Sequence, residues 1–122
     1  MIEEYFLEFE NILRDFPNIQ SYSLSKKIYN NRQGSISGKI VFENGYFLEF
    51  TEVVDTGQAN KVKYRYHFMD KQKNLVFRYD NAPHHPQVKS FPHHKHTTRL
   101  VRAAKEPTIQ NILMEISKRR KK

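Results

Sequence analysis

The sequence contains no cysteine and no tryptophan, and only four of its 122 residues are glycine. The absence of cysteine excludes disulfide bonds, thiolate catalysis and zinc sites with cysteine ligands. Loops that cradle nucleotide phosphates need glycines at short spacings, and neither a Gly-x-Gly-x-x-Gly nor a Walker-type motif occurs here. The sequence therefore argues against enzymes that work with nucleotide cofactors.

Long apolar segments are also missing. No run approaches the roughly 20 residues needed to cross a bilayer, and the N-terminus lacks a signal-peptide pattern. Together with the absent cysteine, this predicts a soluble cytoplasmic protein without membrane association. No repeat or linker divides the chain, so we expect a single domain over residues 1–122.

Basic residues dominate the charge, with 21 Lys and Arg against 13 Asp and Glu, a net charge of +8. This balance favours polyanionic partners, either nucleic acid or an acidic protein. Residues 118–122 are five consecutive cations that follow the last apolar position. Because like charges repel one another, we expect this tail to be disordered and to contact a polyanion rather than support the fold.

Apolar spacing predicts a helix at each end of the chain. In residues 3–16 the apolar positions recur every three or four residues, and Pro17 ends the helix because the residue before proline avoids the α region. Pro107 suits a first helical position, and the apolar residues from Ile109 to Ile116 mark one face of a second helix.

Between the helices the apolar period changes to two, which predicts strands. The links between them are too short for parallel crossovers, and Asn44-Gly45 is typical of a two-residue hairpin in which both residues have positive φ. We therefore expect an α+β fold, an antiparallel meander of about five strands with the helices on one side. The predicted strands are 21–29, 35–42, 46–54, 61–69 and 75–80.

Residues 78–96 hold five of the six histidines and three of the five prolines. Histidine is the side chain whose ordinary pKa allows proton transfer near neutral pH, and prolines restrict the loop that presents it. Two imidazoles beside a cationic side chain are the minimum for metal-free cleavage of RNA through its 2′-hydroxyl. A metal site built on His94 and His96, completed by His84 or Asp80, stays open, but the spacing fits no familiar metal motif. We expect no cofactor.

Polar residues near this loop extend the candidate site. Glu52 falls on the apolar face of its strand, where a carboxylate must be paired, protonated or next to a cavity, unless a bulge after Phe50 turns it outward. Arg78 and Asp80 share a sheet face and form either part of the site or a structural ion pair. The basic residues expected to contact nucleic acid are Lys63, Arg65, Lys95 and Arg99.

Two His-Pro segments, Arg78-Tyr-Asp-Asn-Ala-Pro-His-His85 and Phe91-Pro-His-His-Lys-His96, resemble the signature of the TumE-type toxins of prokaryotic toxin–antitoxin pairs. The resemblance extends to Tyr64-Arg-Tyr-His67 and to the Asn44-Gly45 hairpin. It implies a small toxin that acts on RNA or another nucleic acid, with a helix-turn-helix antitoxin as partner. It points to six catalytic positions: Glu52, Arg78, Asp80, His84, His93 and His96.

Three functions remain compatible with these observations. The first is a toxin ribonuclease in which Glu52, Arg78 and Asp80 lie on the sheet beneath the His loop. The second is a binding module without catalysis, whose basic surface holds nucleic acid or an acidic protein. The third is a small metalloenzyme with histidine ligands.

Overall fold

The computed structural model describes residues 1–120, which form two helices and seven strands. The helices are α1 (Ile2–Asp15) and α2 (Ile109–Arg120). All strands belong to one antiparallel sheet in which each strand pairs with the next along the chain, so the α+β meander is confirmed. The strands are β1 (Ile19–Ile28), β2 (Gln33–Phe42), β3 (Phe47–Asp55), β4 (Lys63–Met69), β5 (Leu75–Asp80), β6 (His94–His96) and β7 (Val101–Ala103).

Both helices pack on the same face of this sheet. Helix α1 buries its apolar stripe there, and α2 adds the apolar side chains that the sequence placed on one helical face. Alternate strand residues complete this core, because successive side chains of a strand point to opposite faces. We call this the helix face; the other side, which no helix of residues 1–120 covers, is the open face. Buried helix residues in the core are Ile2, Phe6, Phe9, Leu13, Ile109, Ile112, Leu113 and Ile116.

The hairpin at Asn44-Gly45 lies where it was predicted but has a different turn. Gly45 alone has positive φ, at 89°, whereas Asn44 does not. Phe42 pairs with Tyr46 across the turn, and the Gly45 amide donates to the Phe42 carbonyl at 2.9 Å. A loop of three residues with one left-handed glycine results. The Asn44 side chain stabilises it by accepting from the Tyr46 amide at 3.1 Å.

The structure has two strands beyond the five predicted, the three-residue strands β6 and β7. Strand β6 consists of His94, Lys95 and His96, which have no apolar alternation that could reveal a strand. Pairing with β5 extends the sheet and brings the His-rich segment onto it. The predicted loop is therefore loop 81–93 followed by an inner strand of the sheet.

Helix α2 continues through residue 120, so residues 118–120 are helical rather than a disordered tail. Arg119 places Nη2 3.3 Å from Oε2 of Glu115, one turn earlier, and its guanidinium lies over the Phe77 ring. These contacts at the negative end of the helix favour its last turn. Residues 121 and 122, the rest of the predicted tail, lie outside the described residues.

Candidate active site

Two rows of polar residues cross the open face at strands β4, β5 and β6. In the first row Arg65 pairs with Asp80, which pairs with His94. In the second row the partners are His67, Arg78 and His96. Members of a row are direct cross-strand neighbours, and the rows lie two residues apart along each strand. The meander therefore gathers six polar side chains on one patch, which we call the polar patch.

Asp80 is the centre of this patch and is almost fully buried. Its Oδ1 accepts from the Ala82 amide at 3.0 Å and lies 2.7 Å from Nε2 of His94. Its Oδ2 accepts from Nε of Arg78 at 3.1 Å and lies 3.6 Å from Nε2 of His96. Both carboxylate oxygens thus have fixed partners, and Asp80 sets the positions of three other side chains.

His94 is held from both sides of its ring and is 1% exposed. Its Nδ1 lies 2.8 Å from the carbonyl oxygen of Pro92. Since a carbonyl only accepts, Nδ1 carries a proton. A second proton lies between Nε2 and Asp80, because a hydrogen bond of 2.7 Å requires one. His94 is thereby fixed in one orientation.

His96 stands beside this pair, with Nε2 3.6 Å from Oδ2 of Asp80. Burial, and next the Arg78 guanidinium, lower the pKa of the His96 imidazole to about 4. At neutral pH this ring is therefore uncharged. His67 lies in the same row; burial, and then the charges of Arg65 and Arg78, lower its pKa as well.

Loop 81–93 adds a third imidazole, His85, above the other two. The ring centroids lie 5.1 Å apart for His85 and His94, 5.3 Å for His85 and His96, and 4.7 Å for His94 and His96. One ring nitrogen from each residue lies within 4.8 Å of the others. His85 and His96 are partly exposed, so solvent reaches them, whereas His94 lies beneath them.

The family comparison covers every residue of the polar patch. The family described as Toxin TumE matches residues 9–120, nearly the whole chain. The chain belongs to the TumE toxin family. No curated protein and no solved structure matches it. Among the helices of residues 1–120, none is long and apolar enough to span a membrane.

Membership of the TumE family confirms the resemblance and makes this chain the toxin component of a toxin–antitoxin system. Such a system implies an antitoxin partner. Family membership does not identify the residues that act in toxicity. The structure divides the six predicted positions into two groups. Arg78, Asp80 and His96 meet on the polar patch, while Glu52, His84 and His93 do not.

Glu52 of this TumE protein lies on the helix face and is 0% exposed. Tyr5 donates to Oε1 at 2.5 Å, and Tyr66 donates to Oε2. Strands β2 and β3 pair without a register shift, so no bulge turns the carboxyl outward. Thr51, the residue before Glu52, lies in the same cross-strand row as Asp80. Because successive side chains of a strand point to opposite faces, the Glu52 carboxyl lies on the other side of the sheet from the Asp80 carboxyl. The expectation that Glu52, Arg78 and Asp80 lie together was wrong.

His93 and His84 also lie away from the polar patch. The His93 ring stacks on Tyr64 with centroids 5.8 Å apart, and its Nδ1 lies 2.9 Å from the Tyr64 hydroxyl, on the helix face. His84 is exposed. His85 and His94 occupy the patch instead. For His94 a signal existed, since residues 94 and 96 share one side of an extended segment; no pattern distinguished His85 from His84.

The four predicted nucleic-acid contacts divide in the same way. Lys63 and Arg65 are exposed at alternate positions of β4, on the open face. Arg99 is exposed in the turn between β6 and β7. Lys95 points to the helix face, where Nζ lies 2.9 Å from Oε2 of Glu115. Its charge is thus directed away from the polar patch.

Proposed function

We propose that the toxicity of this family member arises from cleavage of RNA through its 2′-hydroxyl group. The observation that supports the proposal is the pair His85 and His96, two accessible imidazoles with ring nitrogens within 4.8 Å. That separation allows both to reach oxygens of one phosphodiester through hydrogen bonds of about 2.6–3.2 Å. Arg78 lies beside them, where it can neutralise phosphate charge.

His96 acts as the general base because its ring is uncharged at neutral pH. A pKa of about 4 also makes it a weak base. A phosphate anion bound at Arg78 raises that pKa toward neutrality, since a negative charge favours the protonated ring. The imidazole then takes the proton of the 2′-hydroxyl as the oxygen attacks phosphorus.

His85 acts as the general acid in the same step. The O2′–P bond forms and the P–O5′ bond breaks, while a protonated His85 gives its proton to the leaving oxygen. The products are a 2′,3′-cyclic phosphate and a free 5′-hydroxyl. Arg78 and Arg65 offset the charge that develops on the equatorial oxygens. His94 is too buried to touch RNA, and its ring packs edge-on against both His85 and His96, which helps to position them.

Purified protein mixed with RNA in excess EDTA tests this reaction directly. We expect cleavage without added metal and fragments that end in 2′,3′-cyclic phosphate. Intact RNA at enzyme excess, with antitoxin absent, would rule out the nuclease. If charge reversal on the open face then removed toxicity while histidine changes did not, a binding module would be the better description.

His96→Ala tests the geometry in cells. The variant should lose growth arrest on induced expression and about 10²-fold in cleavage rate, because the base is gone. His93→Ala is the matched comparison from the same segment. It removes a contact with Tyr64 on the helix face, so we expect lower stability but continued cleavage per folded molecule. Loss of cleavage in His93→Ala alone, with folding intact, would favour the family signature over the geometry.

Arg65→Gln and Lys95→Gln form a second matched pair. Arg65 is an exposed member of the polar patch, whereas Lys95 is engaged with Glu115 on the helix face. We expect Arg65→Gln to weaken RNA binding and to lower the slope of log K against log salt by about 0.7 to 1. Lys95→Gln should leave that slope unchanged and lower the melting temperature. Binding titrations at several salt concentrations measure both, and equal slopes for the two variants would contradict the assignment.

The same proposal includes a partner and a place of action. The family implies an antitoxin, and we propose that it is a helix-turn-helix protein that binds this basic toxin in the cytoplasm, where its RNA substrates are. Co-expression of the neighbouring antitoxin gene with the toxin should restore growth, and the two proteins should then purify together. Antitoxin that restores growth without forming a complex would contradict direct neutralisation.

A further inference from the structure

The three imidazoles of the polar patch have a second chemistry besides proton transfer. We propose that His85, His94 and His96 bind one divalent ion of the zinc class. Their ligand nitrogens lie within 4.8 Å of one another. Zinc bonds to imidazole are about 2.0–2.1 Å, which places tetrahedral ligands about 3.4 Å apart. A modest inward movement of the rings therefore suffices.

The contacts of His94 already resemble those of a metal-bound histidine. Metal-bound histidines donate their other ring proton to a carbonyl or carboxylate, which fixes the ring. His94 does so through Nδ1 to the Pro92 carbonyl, which leaves Nε2, 2.7 Å from Oδ1 of Asp80, as its ligand atom. Asp80, held by Arg78 and the Ala82 amide, presents Oδ1 to the same place and can supply an oxygen ligand.

The donor set also selects among ions. Three imidazole nitrogens suit Zn²⁺ and other late first-row metals, whereas Mg²⁺ and Ca²⁺ prefer oxygen ligands. The site has one carboxylate, Asp80, and its charge is offset by Arg78 at 3.1 Å. Hard cations held mainly by charge therefore gain little here. Zinc should bind much more tightly than magnesium.

The ion also affects catalysis, a consequence that rests on the proposed function. Zinc occupies the lone pairs of His85 and His96 and takes the place of the proton between His94 and Asp80. Neither the base nor the acid of the cleavage step is then available. Bound zinc should therefore inhibit cleavage, which would make metal occupancy a control on the toxin.

Calorimetric titration of the untagged protein with ZnCl₂, and separately with MgCl₂, tests the site. We expect one Zn²⁺ per chain, no comparable binding of Mg²⁺, and affinity at least tenfold weaker in His85→Ala and in His96→Ala. His84→Ala is the matched control, since it removes an exposed histidine next to His85, and it should bind like the wild type. Equal losses in His84→Ala and His85→Ala would show adventitious binding by a His-rich loop and overturn the proposal.

Histidine NMR of the wild-type protein provides a measurement that needs no variant. Zinc should shift the ring signals of His85, His94 and His96 and leave those of His84 and His67 in place. Shifts confined to His84 would overturn the site. Cleavage assays in EDTA and with one equivalent of zinc then separate the two proposals. If zinc binds but RNA is cleaved in neither condition, the metal site stands and the ribonuclease proposal is wrong. If RNA is cleaved with zinc bound, the proposed inhibition is wrong.

Discussion

Asp80→Asn is expected to lower RNA cleavage by about 10²- to 10⁴-fold while the protein still folds. The carboxylate accepts from Arg78 and the Ala82 amide and shares a proton with His94. An amide of the same size keeps one accepting oxygen but replaces the other with a donor. That donor either faces Nε2 of His94, which must then accept, or faces Arg78 and pushes it away, so the contacts that hold His94 or those around His96 change.

The stability cost of this substitution should be smaller than the catalytic cost. Loss of one buried hydrogen-bond acceptor costs about 1–3 kcal/mol. Asp55→Asn is the matched control, because Asp55 is equally buried but lies at the far end of β3. It accepts from the Gly57 amide and from Gln33, both at 2.9 Å, away from the histidines. Both variants should melt at similarly lower temperatures, and Asp55→Asn alone should keep cleaving RNA.

Cleavage rates corrected for the folded fraction, with melting curves from circular dichroism, decide the outcome. Equal losses of cleavage in the two variants would mean that Asp80 acts only through stability. Full activity in Asp80→Asn would remove the polar patch from the mechanism altogether.

Local periodicity was sufficient to predict most of the fold. The helix predicted over residues 3–16 spans Ile2–Asp15, and the five predicted strands match β1 to β5 within about two residues at each end. Each of these elements buries one face, and burial leaves a period in the sequence. Strand β6 buries His94 beneath other histidines instead of apolar side chains, so its sequence lacks that signal.

The site was harder to predict because it depends on register. A shift of one residue moves every side chain of a strand to the other face. Whether His93 or His94 faces the polar patch depends on the pairing of Asp80 with His94. Whether Glu52 or Thr51 lies on the open face depends on the pairing of β3 with β4. The residue composition of the turns does not determine either register. The residue types of the site were predictable, but three of the six positions were not brought together.

Glu52 shows how a buried carboxyl can resemble a catalytic one and still belong to the core. Burial raises the pKa of its carboxyl, and the hydroxyls of Tyr5 and Tyr66 act in the opposite direction without cancelling the effect. A raised pKa in the folded state means that folding favours the protonated acid. The stabilising contribution is therefore complete below the unfolded pKa of about 4.3 and is lost as pH rises through the folded pKa.

Glu52→Gln is expected to be at least as stable as the wild type at neutral pH, because glutamine has the shape and the donor and acceptor groups of the protonated acid. The difference in melting temperature should be small near pH 4 and should increase toward pH 7. Glu52→Ala should instead lose about 2–6 kcal/mol, since it leaves two buried tyrosine hydroxyls without an acceptor. Thermal melts of all three proteins across this pH range provide the comparison.

Cleavage by Glu52→Gln completes the test, because the resemblance to the TumE-type toxins pointed to this position. A carboxyl on the helix face, enclosed by Tyr5 and Tyr66, has no route to a phosphodiester on the open face. Activity should therefore stay within a few-fold of the wild type when Glu52→Gln is folded. A stable Glu52→Gln that cleaves no RNA would place the chemistry on the helix face. If the stability of Glu52→Gln relative to the wild type instead fell between pH 4 and pH 7, Glu52 would be ionised in the core.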